Sequence, residues 1–95
     1  MITLRNRETG RLYEAWQVPA EGEHPSEEMI EWLGKFPPDS WDGDDGGITV
    51  YDHSSVVIEE SEVAFPGDYV ARRLQRGRLQ VIRASEIVTE FEVVA

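Results

Sequence analysis

Alternation of apolar and polar positions is the dominant pattern of the chain, and it predicts short β-strands. Residues 11–18 show it most clearly, because Trp16 and Val18 fall on one side of an extended chain while Tyr13 and Ala15 fall on the other. Aromatic and β-branched residues in such a period-2 pattern are typical of a strand. Residues 1–7 are expected to pair with this strand across a turn at Thr9-Gly10, which makes a hairpin.

Further strands are predicted along the rest of the chain by the same pattern. They cover residues 48–52, 55–60, 69–74, 78–83 and 89–94. Most of the connections are short and rich in turn-forming residues, as in Gln75-Arg76-Gly77. Consecutive strands with hairpin-length connections pair antiparallel.

One amphipathic helix is predicted to begin at Ser26, a residue type that caps helices by accepting a backbone N–H. Acidic residues in the first turn favour the same start. The predicted core-facing stripe consists of Met29, Ile30, Leu33 and Phe36, with Trp32 bordering it. Proline residues 37 and 38 end the helix. A single further helical turn is expected over residues 84–86, with Ser85 as its cap.

These elements predict an α+β fold in a single domain over residues 1–95. We expect a mainly antiparallel, curled sheet of six or seven short strands, with the one amphipathic helix packed on it. The chain contains no cysteine, no apolar segment long enough to span a membrane and no apolar signal region at its start. The expected location is therefore the cytoplasm, with no membrane partner.

Charge is strongly segregated along the sequence, whose formal net charge is −10. Residues 21–68 hold 14 of the 19 acidic residues and a single base, Lys35, whereas residues 69–84 hold five arginines and no acid. Two interpretations stay open. Either the arginines pair with the chain's own acids, or the surface is bipolar and docks on a charged partner.

The aspartate- and glycine-rich segment 39–47 is predicted to be a solvated loop. A calcium loop would need more acids at the required positions than this segment supplies. Histidines 24 and 53 lack a second histidine at ligand spacing, and no nucleophile motif is present. We therefore expect no catalytic residue, no metal and no cofactor. An exposed tryptophan is a good interface anchor, and Trp41 inside this loop is the predicted one.

The basic segment 69–84 is a candidate nucleic-acid site. Tyr69 is its only aromatic residue, whereas RNA readers interleave basic residues with several stacking rings. Direct binding of nucleic acid is therefore not expected. The opposite hypothesis is mimicry, in which spaced carboxylates imitate a phosphate backbone and occupy a basic groove on a DNA-binding protein.

Short motifs along almost the whole chain resemble those of a group of small, mostly uncharacterised proteins encoded by tailed bacteriophages and prophages. They are Glu14-Ala15-Trp16-Gln17, Met29-Ile30-Glu31-Trp32-Leu33-Gly34, Pro66-Gly67-Asp68-Tyr69-Val70, the turn glycine Gly77, and Phe91-Glu92. Ile87 stands where that pattern has an aromatic residue. The resemblance implies a phage accessory protein with no known catalytic residues. Pro66-Gly67-Asp68 itself is expected to be a turn that starts a strand.

The resulting functional hypothesis is a non-catalytic phage or prophage protein that acts by binding a host protein. Its predicted partner-binding residues are Trp41, Asp42, Asp44, Asp45, Arg72 and Arg73. Two alternatives remain, an acidic DNA mimic that inhibits a nucleic-acid-binding enzyme, and a self-assembling component whose exposed strand edges pair into a homodimer.

Overall fold

The computed structural model of the chain describes residues 1–36, 40–44, 47–52, 60–74 and 77–94. In these residues the fold is α+β and its sheets are antiparallel, as the pattern predicts. The strands are β1 (Ile2–Asn6), β2 (Leu12–Gln17), β3 (Trp41–Asp44), β4 (Gly47–Asp52), β5 (Glu60–Ala64), β6 (Tyr69–Arg73), β7 (Gln80–Ile82) and β8 (Phe91–Val93). The helices are α1 (Glu27–Leu33) and α2 (Ala84–Thr89).

The strands form two sheets, which corrects the expectation of one curled sheet. A five-stranded sheet has the order β7-β6-β2-β1-β8, and a three-stranded sheet has the order β3-β4-β5. The predicted β1–β2 and β6–β7 hairpins are both present. The sequence pattern predicts local pairing of this kind well, but it carries no signal for whether two hairpins join one sheet or separate sheets.

One face of the five-stranded sheet packs against α1 and the three-stranded sheet. The strands alternate, so Val18 and Val70 point to this face and meet Met29 and Leu33 of α1. Ile48 of β4 completes the same cluster. The described part of the chain therefore has its largest core between two sheets and one helix.

The opposite face of the five-stranded sheet holds a second, smaller core. Leu4, Tyr13 and Ala71 are buried there, and Ile87 of α2 packs against them. The Tyr13 and Phe91 rings meet edge to face with centroids 5.6 Å apart. α2 exceeds the single turn expected and begins after Arg83, so Ser85 lies inside the helix and the prediction of Ser85 as its cap is wrong.

α1 begins as predicted, since the Ser26 hydroxyl accepts the Met29 backbone N–H at 3.2 Å. Its core-facing stripe differs from the prediction. Trp32 is buried at 6% exposure, whereas Ile30 is 51% exposed. The buried positions 29, 32 and 33, continued by Phe36 beyond the helix, follow the i, i+3, i+4, i+7 spacing of a helix face. Ile30 follows Met29 in the helix and therefore points away from that buried face.

The Pro66-Gly67 segment forms the predicted turn into β6. The Asp68 N–H donates to the Phe65 carbonyl at 2.8 Å, and Gly67 has a φ of 93°, which a type II turn requires at this position. The turn also joins β2, because the Gly67 N–H donates to the Val18 carbonyl at 3.0 Å. The motif thus fixes where β6 enters the sheet.

Residues 41–44 and 47 of the predicted loop 39–47 lie in strands, because β3 pairs antiparallel with β4; residues 39, 45 and 46 lie outside the described part of the chain. Trp41 lies opposite Val50, and that apolar pair favours a strand over the turn preference of the surrounding aspartates and glycines. The strand predicted over residues 55–60 falls largely outside the described residues, as do Gln75 and Arg76 of the predicted turn.

Candidate binding groove

A groove of about 260 Å³ lies between α1, the segment that follows β2, and the β3–β4 hairpin. We call it the α1 groove. Most of its lining is apolar or glycine: Val18, Pro19, Ala20, Pro25, Ile30, Leu33, Trp41, Gly43, Gly47, Ile48 and Pro66. The remaining two residues are Glu23 and His24. The groove is therefore an apolar depression with one acidic side chain at its margin.

Ile30 forms the α1 side of the groove. Its neighbours Met29 and Leu33 are buried, so other residues hold the helix, and the 51% exposure of Ile30 leaves about half of an aliphatic residue in water. The sequence interpretation assigned Ile30 to the core and so missed this role. Its helical position, off the 29, 32, 33 and 36 face, is the signal that could have shown it.

Trp41 forms the opposite wall from β3. Its indole N–H donates to the Leu33 carbonyl at 3.1 Å, which ties the ring to the last turn of α1. The same carbonyl also accepts the Phe36 backbone N–H at 3.1 Å. The hydrogen bond from the indole and packing against the core hold the ring in place. Because the ring is only partly buried, it also lines the groove.

Gly47 lets the floor of the groove close. Its φ is 144°, and a Cβ built on it would collide with the Ala64 carbonyl oxygen of β5. A side chain there would therefore push the three-stranded sheet apart. Glycine at this position allows the two backbones to approach each other closely.

An acidic border surrounds the α1 side of the groove. The segment from Pro19 to Leu33 contains five glutamates, no lysine and no arginine. All five are exposed: Glu21, Glu23, Glu27, Glu28 and Glu31. Glu27 precedes Ile30 by three residues, which places the two side chains next to each other on the helix surface.

Those predicted partner-binding residues whose side chains the structure describes do not form one surface. Trp41 lines the groove, whereas Asp42 is exposed and, as the next residue of a strand, points to the opposite face of the small sheet. Asp44 is the last residue of β3, and Asp45 lies outside the described residues. The role of these residues in binding a partner stays a prediction.

Arg72 is partly buried and makes its contacts within the fold. Its Nε donates to Oε1 of Glu14 at 2.6 Å, and its guanidinium lies 5.2 Å from the centre of the Phe36 ring. Glu14 and Arg72 lie directly opposite each other in the β2–β6 register. Arg73, the next residue, is partly exposed and lies beside Leu12 and Leu74 on another part of the surface.

Two buried carboxylates form ion pairs with arginines of the chain, and Glu14 is the more buried of the two. The same Oε1 that pairs with Arg72 also accepts the Trp32 indole N–H at 2.9 Å. A buried carboxylate is costly unless it is paired and hydrogen-bonded, and here both conditions are met. Glu14 thus joins β2, β6 and α1.

Asp68 is the second such carboxylate. It accepts hydrogen bonds from the Arg83 guanidinium at 2.8 Å, from the Ala84 N–H at 3.0 Å and from the Phe65 N–H at 3.1 Å. Burial by itself would raise the pKa of Asp68, but the hydrogen bonds from Ala84, Arg83 and Phe65 outweigh it and hold the pKa below its ordinary value of 3.8. One carboxylate therefore closes the turn at Pro66 and caps the first turn of α2.

Two other features are absent from the described residues. They contain no group of three or more histidine, aspartate or glutamate side chains placed to hold a metal ion. No helix in the same residues is long and apolar enough to cross a bilayer.

No protein-family model matches the chain, and comparison with curated proteins and with solved structures gives no match either.

Proposed function

We propose that this chain is a small, non-catalytic accessory protein of a phage or prophage that acts in the host-cell cytoplasm by binding a host protein. The observation that carries the proposal is the α1 groove, where Ile30 is half exposed beside the fixed ring of Trp41. Exposed apolar surface that includes a rigid aromatic ring is characteristic of protein interfaces.

The size of the groove favours a protein side chain over a whole small molecule. Pockets that bind drug-sized ligands measure roughly 300–1,000 Å³, and this groove is smaller at about 260 Å³. One or two apolar side chains of a partner would fill it. The buried carboxylates support the non-catalytic part of the proposal. Glu14 and Asp68 already form ion pairs with arginines of the chain itself.

Affinity capture from a lysate of the host bacterium tests the proposal. The wild-type chain is compared with Ile30→Asn and with a matched control, Val88→Asn, which alters a 72% exposed valine on α2. We expect a host protein that the wild type and the Val88 variant retain and the Ile30 variant loses. Equal recovery by all three chains would contradict binding at the groove.

Nucleic-acid mimicry is the second candidate, and the five exposed glutamates between Glu21 and Glu31 favour it. A mimic would compete with duplex DNA for its target, and the competition would weaken with rising salt. The predicted variant with Asp42, Asp44 and Asp45 changed to Asn would lose inhibition. If neither DNA nor these substitutions affects binding of the captured protein, mimicry is excluded.

Self-assembly is the third candidate. The free edge of β8 carries Val93 at 58% exposure, and Val88 of the neighbouring α2 is exposed as well. An unpaired strand edge with apolar side chains is a template for pairing with a second copy. Light scattering that shows only monomer at high protein concentration would exclude it.

A further inference from the structure

We propose that the α1 groove receives a large apolar side chain of a partner segment in which lysine or arginine residues flank that side chain. The inference rests on the protein binding proposed above and adds the chemical class of the ligand. It combines two properties of the same place, the apolar lining and the acidic border.

The apolar walls of the groove account for the large apolar side chain of the proposed ligand. Ile30, Trp41, Ile48 and the ring of Pro19 face a space that has room for a leucine or phenylalanine side chain. Such a side chain would be removed from water by rigid neighbours, since the Trp41 ring is held by Leu33 and lies against the core. Rigid walls reduce the entropy lost on binding.

The acidic border of the groove accounts for the lysine or arginine residues that flank this side chain. Among the described residues, those that line the groove include Glu23 and no lysine or arginine. Glu27 stands beside Ile30 on α1, as their spacing of three residues requires. A bound segment with cations on both sides of its apolar side chain would meet both carboxylates, whereas an acidic segment would be repelled.

A separate partner fits these charges better than a second copy of the chain. Two copies, each with a net charge of −10, repel each other. The arginines also contribute less to the surface than their number suggests, because Arg72 and Arg83 are paired with Glu14 and Asp68. Self-association therefore becomes an outcome that the experiment must detect.

The test is a titration of the full ¹⁵N-labelled chain, followed by NMR, with three capped peptides. The probe is Gly-Lys-Lys-Leu-Arg-Lys-Gly; one control replaces its leucine by serine, and the other replaces its four basic residues by glutamate. We expect the probe to shift the Trp41 indole and the Ile30 and Gly43 amides in a saturable way. The serine peptide should bind about tenfold more weakly, because one apolar side chain contributes about that factor. The glutamate peptide should not bind.

Variants of the chain separate the two halves of the inference. Ile30→Asn should weaken binding of the probe about tenfold, and Val88→Asn should leave it unchanged. The double variant Glu23→Gln/Glu27→Gln should weaken it about threefold to tenfold at low salt, because each exposed charge pair contributes little. Glu86→Gln/Glu90→Gln, on and next to α2, is the control with the same change of net charge.

Each contrary result has a definite meaning. If the leucine and serine peptides bind equally, attraction is only electrostatic and the inference is wrong. If the probe does not bind while a host protein is still captured in an Ile30-dependent way, the inference is wrong and the proposed function stands. If the capture is also independent of Ile30, both are wrong. If the Trp41 indole resonance shifts with the concentration of the chain alone and sedimentation shows a dimer, a second copy occupies the groove and the inference is wrong.

Discussion

The two carboxylates paired with arginines and the α1 groove are built on opposite principles, although Glu14 and the groove both contact α1. At Glu14 and Asp68, every contact described satisfies a charge inside the molecule. At the groove, apolar surface is left exposed, with Ile30 in water beside Trp41. The difference separates residues that maintain the fold from residues that are free to bind. Substitutions in the first region are therefore expected to affect stability, and those in the second to affect binding.

Glu14→Ala should have the largest effect on stability. It leaves the Trp32 indole N–H without an acceptor and the Arg72 guanidinium without its counter-charge, which should cost about 3 kcal/mol of unfolding free energy. Urea unfolding followed by tryptophan fluorescence measures it. Glu14→Gln keeps an acceptor for Trp32 and should cost about half as much. Equal losses in the two variants would show that the hydrogen bond to Trp32 contributes nothing and that the loss comes from the charge alone.

Gly47→Ala tests whether the groove has a rigid frame of its own. The new Cβ would collide with the Ala64 carbonyl oxygen, which should cost about 2 to 3 kcal/mol. Gly67→Ala is the matched control, because Gly67 also has a positive φ but has open space around its Cβ position. That variant should lose only about 1 kcal/mol. Similar losses in both, by thermal or urea unfolding, would mean that the strands separate easily at Gly47.

Asp68→Asn should cost about 2 kcal/mol at neutral pH, because an amide cannot accept all three hydrogen bonds or pair with Arg83. The pKa of Asp68 is lowered in the folded chain, so its stabilising contribution is complete above its ordinary value of 3.8 and is lost as pH falls through the lowered pKa. Unfolding at a series of pH values should therefore show the wild type and the variant converging below about pH 3.8. A constant difference down to acidic pH would contradict the assignment.

The sequence predicted the local elements of the fold more accurately than the long-range contacts. The β1–β2 and β6–β7 hairpins, the Ser26 cap and the turn at Gly67 follow from patterns within a few residues. The separation into two sheets does not, because it depends on where the β3–β4 hairpin packs.

The candidate site was predictable only in part, for the same reason. Trp41 is the anchor that the sequence predicts, but its place in a strand and its hydrogen bond to Leu33 depend on α1 lying alongside. Arg72 is predicted from the sequence to bind a partner, with pairing to the chain's own acids left open, although the charge of Glu14 on an otherwise apolar strand face indicates that a cation must meet it. Ile30 was assigned to the core because any apolar residue in a short helix fits a stripe until the exact spacing is considered.

Ile30→Asn should have the smallest effect on stability and so completes the comparison. With half of the side chain already in water, its substitution should change the unfolding free energy by less than about 0.5 kcal/mol. Val88→Asn, at a still more exposed position, sets the baseline for the same chemical change. Urea unfolding of both variants beside the wild type gives the measurement. If Ile30→Asn proved as costly as a core substitution, the isoleucine would be packing the groove closed, and the loss of a partner in the capture experiment would reflect unfolding. An unchanged stability makes the same loss of binding a property of the groove surface alone.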